Sequence, residues 1–176
     1  CIINSQDMIV GTGDLASVLF EVDDPKRIYF AAGVSNSRNE EQIEFLRERR
    51  LLMDQPKDKH LVYFSSLSIY YTSSPYAKHK RRMEELIKTH FKVHTIIRLG
   101  NITWGTNPNT FINFFKNAIK NNEPFTVKDE YRYLIDKDEF LHWIGLIPRF
   151  STEMNITGRR VKIIDVVSEL MAETKP

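Results

Sequence analysis

The chain has 176 residues, of which 41% are hydrophobic and 27% charged, and its formal net charge is +2; this is enough for one domain with a real core, and too small a charge excess for a general polyanion binder. No apolar run approaches the length of a membrane span and no charged-then-apolar leader opens the chain, so it reads as soluble and cytoplasmic. The single cysteine, Cys1, leaves no internal disulfide, in keeping with a reducing compartment, and a start at Cys1 rather than Met reads as a trimmed or partly represented N-terminus.

Short β-branched or aromatic runs alternate with helical segments, the pattern of an α/β protein with a parallel sheet. Met8–Val10 reads as a strand that runs into Gly11-Thr-Gly13-Asp-Leu-Ala16 and a helix over Asp14–Glu21. In such a turn Gly11 allows the tight bend, Gly13 lets the backbone approach a pyrophosphate, Ala16 permits close helix–strand packing, and the helix N-terminus offers N–H groups to phosphate. Asp23 and Asp24 read as cap and turn residues before Pro25, and a second strand follows over Arg27–Ala31.

The middle of the chain predicts a helix over Glu40–Met53, a strand over Leu61–Ser65, a helix over Pro75–Phe91 opened by a first-turn proline, and a strand over Val93–Arg98. Beyond Gly105 a helix spans Asn109–Asn121, and weaker strands at Phe125–Val127, Arg132–Ile135 and Met154–Ile156 alternate with helices at Lys137–Leu146 and Ile163–Ala172. The natural seam falls at Gly105, with cofactor-type motifs in residues 1–105 and substrate-type motifs in residues 106–176 of one domain.

The segment with the clearest chemistry is Ser65-Ser66, ending a strand, followed ten residues after Ser66 by Tyr76-Ala-Lys-His-Lys80. Tyr76 and Lys80 stand four apart on one helix face. A lysine ammonium beside a tyrosine hydroxyl favours the phenolate and lowers a pKa that starts near ~10. The Ser66 hydroxyl at the strand end would hydrogen-bond the same substrate oxygen, polarising a carbonyl or alcohol from two sides. The chemistry implied is proton transfer coupled to hydride transfer.

Other readings are weaker. Arg47-Glu-Arg-Arg50 and Lys78-His-Lys-Arg-Arg82 are interleaved with Glu40, Glu41, Glu44, Glu48, Glu84 and Glu85, so they read as solvated helix faces with local ion pairs and not as a nucleic-acid stripe. His90 and His94 have a ligand-like interval, but a helix end falls between them, and no metal site is expected. His60, His79 and His142 are isolated from carboxylates at diagnostic spacing, and Ser65 and Ser66 lack the glycine-flanked elbow of hydrolases.

Taken in order, Gly11-Thr-Gly-Asp-Leu-Ala16, Ile28-Tyr-Phe-Ala-Ala32, Phe64-Ser-Ser-Leu-Ser-Ile-Tyr70, Tyr76-Ala-Lys-His-Lys80, Ile97-Arg-Leu-Gly-Asn-Ile-Thr-Trp-Gly105 and Arg132-Tyr-Leu-Ile-Asp resemble successive signatures of the extended short-chain dehydrogenase/reductase family, in its nucleotide-sugar epimerase/dehydratase branch. The likeness runs from Met8 to about Met171. It implies a Rossmann-like parallel sheet flanked by helices, NAD or NADP as cofactor and a nucleotide-linked sugar as substrate. By the same resemblance Tyr76 is the catalytic base, Lys80 tunes it and contacts the nicotinamide ribose, and Ser66 binds the reacting oxygen. Gly11, Gly13 and Ala16 match the phosphate turn, Ala31 and Ala32 the strand end along the cofactor, Asn101 a polar residue near the sugar-nucleotide phosphates, and Arg132 a pyrophosphate contact, its spacing to Asp138 one residue short of the usual pattern. The family's dimers commonly use the two helices here at Glu40–Met53 and Pro75–Phe91, which implies a homodimer.

Two departures carry weight. Leu67 and Ser68 stand where dehydratases carry an acidic pair, which favours epimerisation or reduction over dehydration. Gly13 to Ile28 leaves only fifteen residues, so the second and third strands of the usual fold are missing and the adenosine half of a cofactor site loses much of its floor. Two functions follow: an NAD(P)-dependent oxidoreductase or epimerase, favoured by the intact Ser-Tyr-Lys set, or a non-catalytic nucleotide-binding sensor or partner subunit, favoured by the missing strands.

Overall fold

The computed structural model describes residues 8–22 and 24–173; the readings of Cys1 and Asp23 lie outside them. In chain order the strands are β1 (Ile9–Val10), β2 (Arg27–Phe30), β3 (His60–Ser66), β4 (Val93–Leu99), β5 (Asn101–Ile102), β6 (Tyr131–Ile135), β7 (Thr152–Ile156) and β8 (Arg159–Lys162). The helices are α1 (Ala16–Leu19), α2 (Gln42–Met53), α3 (Pro75–His90), α4 (Phe111–Lys120), α5 (Lys137–Gly145) and α6 (Ile163–Glu173). Five strands form a parallel sheet in the order β1-β2-β3-β4-β7, and β5, β6 and β8 form a second sheet with β6 in the middle.

β2 and the middle of β3 and β4 read as nearly unbroken apolar runs because the main sheet is covered on both faces. Alternation divides their side chains. Tyr29, Val62, Phe64 and Ile97 pack with Val18 and Leu19 of α1 and Phe140 and Ile144 of α5. Ile28, Phe30, Leu61, Tyr63 and Ile96 face the other way, onto Leu52 of α2 and Met83 and Ile87 of α3. The second sheet has its own core, in which Leu134 meets Ile112 and Phe115 of α4 and Val166, Val167 and Leu170 of α6. Residues from beyond Gly105 thus complete the main sheet through β7 as well as building the second.

Three helices each carry the chain one strand over in the same lateral direction, yet α1 lies on the face opposite α2 and α3. The β1–α1–β2 crossover therefore has the opposite hand to the two that follow. Right-handed crossovers being the rule, the first is the exception. A single helical turn and a 3-10 turn at Phe20–Val22 are all that span it.

Two expected elements differ. The helix expected over Asp14–Glu21 begins only at Ala16, because the Asp14 carboxylate is turned away to the 106–107 backbone instead of capping it. Phe125–Val127 forms no strand; Phe125 and Val127 pack as loop side chains on the second core, Phe125 with its ring 5.4 Å from that of Phe115. The place beside β6 is taken by β8, antiparallel, whose Arg-Arg-Val-Lys sequence carries almost no apolar signal.

α3 is the element that matters most for chemistry. Ser74 caps it by accepting from Ala77 N (3.2 Å), and Pro75 occupies the first turn. Tyr76, Lys80, Met83 and Ile87 form its buried stripe while Lys78, Arg82, Glu85 and Thr89 face outward. Among the described residues no helix is long and apolar enough to cross a membrane.

Candidate active site

The site lies at the carboxyl edge of the main sheet, where a short chain of close approaches links the glycine turn to α3. Gly11, at φ +129°, follows β1; a Cβ there would come within 2.6 Å of the Ala31 carbonyl carbon, so only glycine allows β1 and the end of β2 to lie this close. Ala31 and Ala32 lead directly into Gly33, where a Cβ would meet Lys80 Nζ at 2.8 Å. Gly13 faces open space, with nothing within 4 Å of the position a Cβ would take, and Ala16 is buried at the start of α1. A run of close approaches thus joins the glycine turn, the alanine pair and the tyrosine–lysine helix.

Ser66 ends β3 and caps the following 3-10 turn at Leu67–Tyr70, accepting from Ser68 N at 3.1 Å. Its hydroxyl also favours the Tyr76 phenolate. Tyr76 is buried among Val34 and Phe45, and the Lys80 ammonium lies 5.6 Å from its ring centre. Burial pushes the phenol upward; Lys80 and the Ser66 hydroxyl pull it down while Glu48 adds to the rise, and the balance stays above the ordinary tyrosine value. The phenol-lowering effect expected of Lys80 is present but outweighed.

Burial is the main cause, and it is joined by a residue that the sequence pattern placed on a solvated face. Glu48 of α2 is fully buried, not solvent-paired, and sits in the stripe Phe45–Glu48–Leu52. Its carboxylate accepts from Val34 N (2.7 Å), Tyr63 Oη (2.6 Å) and Lys80 Nζ (3.0 Å) and pairs with His79 Nε2 (2.9 Å). Burial pushes this carboxyl up, but the Lys80 charge and the three other hydrogen bonds prevail and hold it far below the usual carboxylate range. Burial depresses Lys80 in turn, and Glu48 more than reverses that, so the ammonium keeps its proton. Lys80 also donates to Tyr63 Oη at 3.1 Å. His79 is therefore not isolated from carboxylates; its ring stacks on Phe45 with centroids 4.4 Å apart. The signal available in the sequence was positional: Glu48 lies three residues after Phe45 and four before Leu52, on the stripe a helix buries.

Glu84 is a second buried exception to the solvated reading. It receives Ser65 Oγ (2.6 Å) and pairs with Arg98 of β4 (2.6 Å), fixing α3 against β3 and β4. The basic runs are not continuous on the surface either. Arg47 pairs with Glu44, His79 and Lys80 point inward, and Arg81 is spent on the carbonyls of Ile69 and Thr72.

The substrate-side candidates make contacts of their own. Asn101 Nδ2 donates to the Tyr133 carbonyl (3.1 Å), tying β5 to β6. Arg132 pairs with Glu130 (3.0 Å), and its charge reaches the Tyr71 phenol, which also senses Tyr76. At the glycine turn, Asp14 accepts from Thr106 N and Asn107 N, both at 3.0 Å, and Asn107 Nδ2 reaches Ser35 Oγ at 3.0 Å. A negative side chain thus stands beside the turn read as a phosphate cradle. Among the described residues no group of three His, Cys, Asp or Glu side chains is placed to hold a metal ion.

No family model matches the chain, and no curated protein matches it significantly. Its fold is that of nucleotide-sugar epimerases. The solved structures that share it include the UDP-glucose 4-epimerase of Thermotoga maritima with UDP-glucose (TM-score 0.65, 16% identity, 93% of this chain and 67% of that one). The Bordetella bronchiseptica enzyme WbmG with NAD and UDP matches over 93% of this chain and 62% of its own (TM-score 0.62, 18% identity). A UDP-glucuronic acid 4-epimerase from Bacillus cereus, with a fluorinated UDP-sugar and NAD, matches over 88% and 61% (TM-score 0.66, 17% identity). At these identities the likeness is one of fold, and the chain spans about three fifths to two thirds of their length.

Proposed function

We propose that the chain acts as an NAD(P)-dependent oxidoreductase or epimerase on a nucleotide-linked sugar, with Tyr76 exchanging the proton of the reacting oxygen, Ser66 holding that oxygen and Lys80 supplying the neighbouring positive charge. The observation that supports this reading is the approach of the Lys80 ammonium to the Tyr76 ring, with the Ser66 hydroxyl acting on the same phenol, at the edge reached from Gly11 through Ala31 and Gly33. The sheet matches structures solved with NAD and UDP-sugars, which supports the cofactor and substrate class.

The residues fit the nicotinamide-ribose half of such a cofactor. Gly33, lacking a side chain, lets the backbone after β2 lie against Lys80, and Lys80 has a third N–H beyond those given to Glu48 and Tyr63. They do not fit the adenosine half. β1 has no further strand outside it among the described residues, α1 is one turn long, and the Asp14 carboxylate borders the phosphate turn. Within this reading Gly11, Gly13, Ala16, Ala31, Ala32 and Lys80 hold the cofactor, which would accept and return hydride when bound. Ser66 orients the sugar oxygen, Tyr76 takes or gives its proton, and Asn101, just before the Gly105 seam, and Arg132, beyond it, lie on the substrate side. Leu67 and Ser68 offer no acid for dehydration, leaving epimerisation or reduction. Ile43 (71% exposed) and Leu46 (61%) on the outer face of α2 support a homodimer through α2 and α3.

A non-catalytic, nucleotide-binding role is the second reading, supported by Asp14 at the phosphate turn and by the pairing of Lys80 with Glu48. Thermal-shift titration with NAD(H) and NADP(H), on the parent and on Tyr76→Phe, separates the two. The enzyme reading expects saturable stabilisation of both proteins, with hydride exchange in the parent alone. Binding without exchange in either, or no response to any of the four dinucleotides, selects the second.

A further inference from the structure

We propose that Glu48 is a positioning residue for this site: it fixes Lys80 beside Tyr76 and balances its charge, so that residue 76 rests as an O–H donor and not as a phenolate. The inference rests on the Tyr76-centred reading above and adds a counter-charge that the tyrosine–lysine motif does not contain.

Geometry carries it. Glu48 is 0% exposed, and its partners come from separate parts of the fold: the segment after β2 through Val34 N, β3 through Tyr63, and α3 through His79 and Lys80. A carboxylate is retained in such a place only when its partners are held as firmly as it is. Each carboxylate oxygen serves two donors, Oε1 taking Tyr63 and Lys80 and Oε2 taking Val34 and His79. The Lys80 ammonium is thereby held by Glu48 on one side and by Tyr63 on another, and Gly33 closes over it without a side chain.

The charge balance follows from the same contacts. The groups acting on this cluster are Glu48 from α2, Lys80, His79 and Glu84 from α3, Tyr63 from β3, Ser66 at the β3 end, and Tyr71 after the 3-10 turn, itself under the influence of Arg132. At the Tyr76 phenol burial resists ionisation most strongly, the Lys80 charge favours it, and Glu48 opposes Lys80. A lone buried ammonium would draw the phenol toward ionisation; a paired one does so far less. Tyr76 consequently offers a proton to a carbonyl oxygen at neutral pH and accepts one only under alkaline conditions.

The test is phenolate absorbance against pH on the unliganded protein, with Tyr76→Phe subtracted in each background to isolate residue 76. Glu48→Gln removes the counter-charge and is expected to bring the Tyr76 phenolate in at a pH lower by about one unit or more. A folded Glu48→Gln protein with an unchanged or higher titration overturns the proposal and leaves Glu48 a packing residue. If Glu48→Gln does not fold, the paired Glu48→Gln/Lys80→Met protein, which removes both charges, is used instead. A balanced pair predicts a titration within about one unit of the parent, and a larger upward shift shows that the Lys80 charge acts unopposed and also overturns it. None of these readings needs a dinucleotide. Failure of the cofactor titration with a positive absorbance result thus rejects the enzyme reading and not the charge balance.

Discussion

The two ends of the carboxyl edge are built differently. At the α3 end, Glu48, Lys80, Tyr63 and His79 lock four side chains from three elements together, and Glu84 with Arg98 and Ser65 ties the same helix to two strands. At the glycine end a two-residue strand and a one-turn helix are held by the backbone bond from Ala31 N to Val10 O (2.7 Å) and by the grip of Asp14 on residues 106 and 107. Buried ionic clusters cost desolvation and are tolerated where orientation is worth fixing. The contrast therefore points to the tyrosine–lysine end as the place where geometry is constrained, and to the phosphate end as one that holds its shape by a few hydrogen bonds.

That contrast can be broken by substitution. Lys80→Met strands the Glu48 carboxylate and should cost about 3–5 kcal/mol in urea denaturation, the largest single loss; a loss under ~1 kcal/mol would show the cluster to be loosely held. Acid should expose a second weakness near the same sheet. His60, bonded to Thr95 Oγ1 at 2.8 Å, is lowered to about 4 by burial and by the charges of Arg27 and Arg149. Since the unfolded histidine takes its proton near ~6.5 and the folded one resists it, this contribution is complete above that value and is lost as pH falls toward 4. A stability drop on the order of 2–3 kcal/mol across that window is expected, continued below it by Glu48, whose depressed carboxyl loses its advantage once the unfolded state protonates. Melting temperatures against pH check this, and His60→Gln should flatten the upper limb.

At the glycine end the effects are smaller. Gly11→Ala meets both the positive φ and the Ala31 backbone and should cost about 2 kcal/mol, while Gly13→Ala, with open space before it, should change stability by less than ~0.5 kcal/mol. Equal costs at the two glycines would remove the distinction between a packed bend and an open cradle. Asp14→Asn should lose about 1 kcal/mol, because one amide oxygen remains to accept while the amide nitrogen faces an N–H. By removing a negative charge beside the turn it should also tighten dinucleotide binding in the same thermal-shift titration. Weaker binding would assign Asp14 a supporting role.

Much of the main sheet was legible because its strands are apolar runs bounded by turn residues: Leu61 to Phe64, Thr95 to Leu99 and Arg27 to Phe30 announce themselves. The inward stripe of α3 was equally plain, since Tyr76, Lys80, Met83 and Ile87 keep helical spacing. β8 was not, because its pairing with β6 is decided by a partner more than twenty residues away and its own side chains are half exposed. Phe125 and Val127 showed the converse, apolar residues that pack without joining a ladder. Glu48 was missed for a related reason. Charge in a helix usually means solvent, and only the juxtaposition of α2 with α3 and β3 supplies the donors that make burial tolerable.

Ending the main sheet at β1 also affects how copies of the chain meet one another. An edge strand presents unpaired backbone groups on which another extended segment can add, and long flat edges invite aggregation. Here β1 contributes only two residues to the ladder, so the template is short. At the opposite margin β7 carries Glu153, bound to Lys88 and Arg98, which places charge along the rim. Among the described residues the five-stranded sheet thus stops at two borders that give a neighbouring chain little to extend.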